Sequence, residues 1–299
     1  ELPNNLAVNI DGTLPLSSAS VSGVAGTNGW YKSPATVLIS GTDVTSGVGS
    51  IKYRKSINGS WGSTITGGNP SSLGFGNFSS GGNGRYSVGY YAVDRACNAE
   101  SERFVGVDID STAPVSTYTP SILPGANGWY TGNVTATFTA TDNLSGVSSL
   151  TVDGAIVPGA IASYLLSAEG IQTLNYFATD FAGVDEASRS VTVRIDKTVP
   201  VVTLSTSPAT LVATNKAKLV PVTINGSATD SLSGIASVLI TITDEYGSYS
   251  MTVPSFGAIV NLDTHKNNKD TDGRLYTVKA TAIDLAGNQQ TSVYNLFVK

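Results

Sequence analysis

The frame isoleucine-aspartate-x-threonine-x-proline occurs three times in this chain, as IDGTLP at 10–15, IDSTAP at 109–114 and IDKTVP at 195–200. A repeat at a fixed period constrains a fold more than any single residue, because one structural unit must then recur along the chain. The frames stand about 99 and 86 residues apart, which suits a two-sheet β-sandwich and is too long for propeller blades of roughly 40–45 residues.

Other features recur in register behind each frame. An alternating run ending in Thr-Asp comes first, closing at Asp43, Asp142 and Asp230. A Ser-Gly corner follows at Ser46-Gly47, Ser145-Gly146 and Ser233-Gly234. A second alternating run closes at Asp94, Asp180 and Asp284, and a turn of the AGN type follows: Ala96-Cys97-Asn98, Ala182-Gly183-Val184 and Ala286-Gly287-Asn288. Period two is the pattern of strands with one buried face, so Val88, Tyr90 and Ala92 are expected in one core, Leu174, Tyr176 and Ala178 in the next, and Val278, Ala280 and Ala282 in the third. Asn58-Gly59, Asp153-Gly154 and Glu245-Tyr246-Gly247 mark a hairpin in each repeat, the first two with the positive φ preference of a type I′ turn. No segment shows long helical periodicity. Thr, Val, Gly, Asn and Asp suit strands and turns, and 40% hydrophobic residues suffice for real cores.

These motifs resemble bacterial immunoglobulin-like domains of large surface and secreted proteins. The likeness rests on IDxTxP, on NGWY at 28–31 and 127–130, on the TD…SG corner and on the D-x-AGN turn, and it spans nearly the whole chain. It implies an all-β chain of three tandem immunoglobulin-like β-sandwich domains, at 10–109, 110–195 and 196–299. It also implies an extracellular or cell-surface location and a role as spacer, stalk, fibre or adhesive module, or as a non-catalytic accessory region of a secreted hydrolase. The third repeat lacks NGWY, and Cys97 stands where the turn glycine is expected.

Counting back from the frame aspartates puts Glu1, Glu100 and Glu186 at one position, so 101–109 and 187–195 read as closing strands. By that register residues 1–9, leading into LAVNI at 6–10, are the last strand of a preceding domain or a strand donated to a neighbouring copy. With a start at Glu1 and no signal peptide, the chain is expected to be a processed product or a fragment.

Sixteen of the 22 acidic residues are Asp, and nine of them form three repeated sets: Asp11, Asp43 and Asp94; Asp110, Asp142 and Asp180; Asp196, Asp230 and Asp284. In such a sandwich the loops carrying these residues share the end where the preceding domain enters, so each set is expected to converge at a joint. Two readings stand. Aspartates at strand ends accept hydrogen bonds from turn amides. Alternatively, three hard carboxylates completed by carbonyls and water hold Ca²⁺. Asn268, Asp270 and Asp272 with Gly273 match the first half of a calcium loop, but Lys279 stands where its bidentate Glu belongs, and a polar hairpin turn is the competing reading.

Trp30-Tyr31 and Trp129-Tyr130 recur at one place, which suits packing; Trp61 occurs only in the first repeat and is the candidate ligand contact, for instance to a cell-surface glycan. Tyr86 and Tyr276 open their strands where a tyrosine corner belongs. Catalytic residues are not expected: His265 is the only histidine and Cys97 the only cysteine, and neither has an identifiable catalytic partner. A net charge of −5 without a basic cluster argues against nucleic acid, and no apolar run is long enough to span a bilayer. The partners expected are neighbouring domains of the same kind or copies of this chain.

Overall fold

The computed structural model describes residues 10–75, 82–125, 127–265 and 273–299. Every regular element among them is a strand, and the strands form six sheets. Two compact units divide the chain. One holds the described residues up to Tyr118 together with 137–162 and 175–190, and the other holds 119–136, 163–174 and 191–299. Sandwiches one and three each lie within one unit, and the second sandwich contributes an end to each.

Sandwich one comprises β1 (Leu16–Ser22), β2 (Trp30–Tyr31), β3 (Ala35–Thr42), β4 (Val48–Ile57), β5 (Ser60–Trp61), β6 (Ile65–Gly67), β7 (Ser71–Phe75), β8 (Gly84–Asp94) and β9 (Arg103–Ile109). One sheet has the order β1-β3-β7 and the other β2-β9-β8-β4-β5, with β6 on β4. The alternation in β3 and β8 turns Val37 and Ile39 toward Val88, Tyr90 and Ala92, all buried in one cluster between the sheets. Each large apolar side chain taken from water in this way stabilises the fold by about 1.5–3 kcal/mol.

Sandwich two repeats the plan with β10 (Val115–Pro120), β11 (Trp129–Tyr130), β12 (Val134–Thr141), β13 (Val147–Val152), β14 (Ala155–Pro158), β15 (Ile161–Leu166), β16 (Gly170–Asp180) and β17 (Arg189–Ile195). Its sheets are β10-β12-β15 and β11-β17-β16-β13-β14. Phe138 of β12 meets Tyr176 of β16 with ring centroids 4.7 Å apart. Tyr176 and Ala178 are buried as their alternation predicts, whereas Leu174 is only half-buried.

Sandwich three has β18 (Val201–Ser207), β19 (Leu219–Thr229), β20 (Ile235–Asp244), β21 (Ser250–Val253), β22 (Ile259–Asp263), β23 (Arg274–Asp284) and β24 (Gln289–Val298), in sheets β18-β19-β22 and β21-β20-β23-β24. Val278, Ala280 and Ala282 are fully buried.

The hairpins fall where the glycines place them. Asn58 and Gly59 have φ of 48° and 87°, and Asp153 and Gly154 have 47° and 82°, the positive pair that a type I′ turn requires. Trp30-Tyr31 pairs in parallel with β9, and Trp129-Tyr130 with β17. Sandwich three, without NGWY, fills the same place with Leu211, which bridges in parallel to Val298. The tyrosine corners form: Tyr86 donates its hydroxyl to the Gly82 carbonyl and Tyr276 to that of Asp263.

A pair of clamps was not foreseen from the sequence. The Glu100 carboxylate accepts the amides of Ser17 and Ala92, and the buried Glu186 carboxylate accepts those of Ser116 and Ala178 together with the Ser116 hydroxyl. Each ties the first strand of one sheet to the central strand of the other. Residues 1–9 lie outside the described residues. No helix among those described is long and apolar enough to cross a membrane.

Candidate functional site

Period two brings the repeated aspartates together. In β8 the residue after Val88, Tyr90 and Ala92 on the inward face is Asp94, and Asp180 and Asp284 close β16 and β23 in the same phase. Each core strand thus carries a carboxylate to the end of the core, and all three are buried, at 1–3% exposure.

A second aspartate follows β3, β12 and β19 directly. The Oδ1 atoms of Asp43, Asp142 and Asp230 accept the amides of Gly47, Gly146 and Gly234 at 2.7–2.8 Å. The frame aspartates complete the sets. The Oδ2 atoms of Asp11, Asp110 and Asp196 accept the amides of Ser46, Ser145 and Ser233 at 2.9–3.0 Å. Their Oδ1 atoms cap the amides of Thr13, Thr112 and Thr198. In each set, one carboxylate oxygen from every aspartate lies within 4.8 Å of the other two. The nine aspartates therefore meet in the three groups that the repeat pattern indicates, and the turn hydrogen bonds form as well.

The turn after each core strand is built alike three times. The Oδ1 atoms of Asp94, Asp180 and Asp284 accept the amides of Asn98, Val184 and Asn288 at 2.7–2.8 Å. At the other oxygen the repeats part. The Asn98 side-chain amide donates to Asp94 Oδ2 at 2.7 Å and to the Asp11 carbonyl at 3.0 Å. Asn288 does the same with Asp284 Oδ2 at 2.9 Å and the Asp196 carbonyl at 3.0 Å. Val184 has no side-chain donor, and Asp180 Oδ2 is buried without a hydrogen-bond partner.

The electrostatics follow. Burial raises the pKa of Asp180; the Val184 amide works against this, and the nearby Asp110 and Asp142 charges push it further up. Asp11 lies at an open set, where hydrogen bonds from Ser46 and Thr13 hold its carboxyl down to about 2.

Two of these turns, those after Asp180 and Asp284, receive the preceding sandwich. Thr27 donates its amide to the Ala182 carbonyl at 3.0 Å and its hydroxyl to that of Phe181 at 2.6 Å. Asn28 also reaches the Phe181 carbonyl, at 3.1 Å, and Lys32 Nζ reaches that of Gly183 at 2.5 Å. In the second unit Asn127 donates to the Leu285 carbonyl at 3.1 Å. The asparagine of NGWY is therefore a docking residue, while Trp30 and Trp129 are buried, at 6% and 9% exposure, as packing demands.

Trp61 remains 41% exposed. Its ring lies edge-on to Phe104, and the Arg54 guanidinium, paired with Glu102, sits 4.5 Å from its centroid. Asn268, Asp270 and Asp272 fall outside the described residues.

No protein-family model matches the chain, and neither does any curated protein. Among solved structures, it is similar to part of a 1.5-MDa bacterial ice-binding adhesin, at 15% identity and a TM-score of 0.37, covering 97% of this chain and 100% of that one. A Ca²⁺-stabilised, ice-binding adhesin of an Antarctic bacterium aligns at 18% identity and 0.35, covering 98% and 75%. The D1–D4 ectodomain fragment of ICAM-5 aligns at 16% and 0.40, covering 94% and 76%. None of these likenesses assigns a role to a residue here. The sheets themselves define the class: an all-β chain of three tandem immunoglobulin-like sandwiches.

Proposed function

We propose that this chain is a structural spacer segment, part of a stalk or fibre, in a bacterial-type surface or secreted protein, with domains at 10–109, 110–195 and 196–299. The observation that carries this reading is the repeated joint: Asn28 bonds to Phe181 and Asn127 to Leu285, each on the turn after a buried aspartate. Docking at every joint through the same side chain is what a spacer needs to fix its bend and reach. The second and third aspartate sets stand at these turns, and a hard cation such as Ca²⁺ held by an open set would draw the strand ends together and stiffen the joint. Small-angle X-ray scattering tests the reading. Replacing Asn28 and Asn127 together by Ala is expected to shorten the mean end-to-end dimension and broaden its distribution. Scattering that already shows freely jointed domains in the unaltered chain overturns it.

A second reading is adhesion at Trp61. The exposed indole between Arg54 and Phe104 is a face on which a sugar ring would stack. Glycan-array binding lost in Trp61→Ala would support it, and an array without binding would end it.

A further inference from the structure

We infer that the middle carboxylate set, Asp110, Asp142 and Asp180, is a divalent-cation site of the Ca²⁺ class, while the two outer sets are closed by their own asparagines. The inference rests on the reading that an open aspartate set holds a hard cation, and not on the spacer role.

In the outer sets, Asn98 and Asn288 place an N–H₂ group between the buried carboxylate oxygen and the carbonyl of the frame aspartate. Two acceptors that would otherwise face each other are thereby bridged by donors. The middle set keeps the three carboxylates and the same turn, but Val184 supplies no bridge, and Asp180 Oδ2 is left buried, at a residue 1% exposed, with no donor. Asn83 donates to Asp110 Oδ1 at 3.2 Å, on the frame aspartate rather than on Asp180. A buried anionic oxygen without a partner is costly, and two further carboxylates, each with an oxygen within 4.8 Å of one of Asp180's, raise that cost. A bound cation removes both penalties at once. The donors are all hard oxygens on loops, a flexible set suited to Ca²⁺, which takes six to eight oxygens at roughly 2.3–2.6 Å; Mg²⁺ demands a near-ideal octahedron. Backbone carbonyls and water would complete the shell.

The backbone at Val184 matches that of its two counterparts. Its carbonyl accepts the Asp180 amide at 3.2 Å, and the Asn98 and Asn288 carbonyls accept those of Asp94 and Asp284 at 3.0 and 3.1 Å. An asparagine therefore fits at 184 without a change of turn, and a valine fits at 288.

Calorimetric titration of the full, chelator-stripped chain with Ca²⁺ tests the inference, with thermal melts to verify folding. The unaltered chain is expected to bind one Ca²⁺, Val184→Asn none, and Asn288→Val two. Binding of three ions by the unaltered chain would leave the cation reading standing and overturn the selectivity. Binding of none would overturn both. A folded Val184→Asn variant that still binds one ion, or a folded Asn288→Val variant that gains none, also overturns the inference. Because both substitutions are scored, misfolding of one leaves the other decisive.

Discussion

The side chain of Asn28 donates to the backbone carbonyl of Phe181 across 3.1 Å, although 153 residues separate them. The neighbouring Thr27 amide bonds to Ala182 at 3.0 Å and shares the same docking. A net contribution of about 1 kcal/mol per hydrogen bond makes Asn28→Ala loosen this contact enough to speed exchange of the Thr27 amide by roughly fivefold. Hydrogen exchange read at Thr27, with the Val88 amide as an internal core reference, checks this. Equal protection in both proteins would remove Asn28 from the joint.

Asp180→Asn is expected to stabilise the chain in chelator and to abolish any stabilisation by Ca²⁺. The substitution removes a buried negative charge and adds an N–H₂ donor toward Asp110 and Asp142, so the gain in chelator is about 1–2 kcal/mol. Chemical denaturation with and without Ca²⁺ measures both effects. Destabilisation in chelator would show that the ionised oxygen has a partner in solution.

Cys97 holds φ at 72° in a turn where its counterparts are Gly183 at 81° and Gly287 at 102°. A side chain in the left-handed region costs roughly 1–2 kcal/mol, and the greater freedom of glycine in the unfolded chain offsets part of this. Cys97→Gly should therefore raise stability by about 1 kcal/mol, seen as a higher denaturation midpoint at an unchanged slope.

In sandwich three the Arg274 guanidinium bonds to the buried Asp244 at 2.8 Å. Burial pushes the Asp244 carboxyl up, but hydrogen bonds from Ser248, Tyr249 and Arg274 overcome this and hold it below its ordinary value of 3.8. A carboxyl with a lowered folded pKa contributes stability that is fully present above the ordinary value and is lost as pH falls through the folded one. Sandwich three should therefore weaken below about pH 4. Arg274→Met leaves Asp244 buried without its cation and should cost about 3 kcal/mol at neutral pH. Amide exchange along β23 at pH 7, in both proteins, reads that loss.

The strand plan was open to reading because it depends on period two, and each core strand states that period over several residues. The same period carries Asp94, Asp180 and Asp284 inward, so the three carboxylate groups were legible in the spacing. What decides their chemistry was not. Asn98, Val184 and Asn288 look like ordinary turn residues, and only the folded chain shows two of them closing a hydrogen bond that the third cannot. Its one trace in sequence is the loss of Asn from a single AGN turn. The Glu100 and Glu186 clamps were hidden for a related reason: their first-strand partners, Ser17 and Ser116, lie 83 and 70 residues away, beyond any local pattern.

The parallel pairing of Trp30-Tyr31 with β9, and of Trp129-Tyr130 with β17, bears on how such a chain carries load. The Asp110 amide bonds to the Tyr31 carbonyl and the Asp196 amide to that of Tyr130, both at 2.9 Å. A pull entering at Asp110 or Asp196 therefore runs along the closing strand, with its flanking hydrogen bonds set crosswise to the force. Bonds in that geometry are sheared together rather than peeled one by one, so the first two sandwiches meet tension with their closing strands loaded in shear.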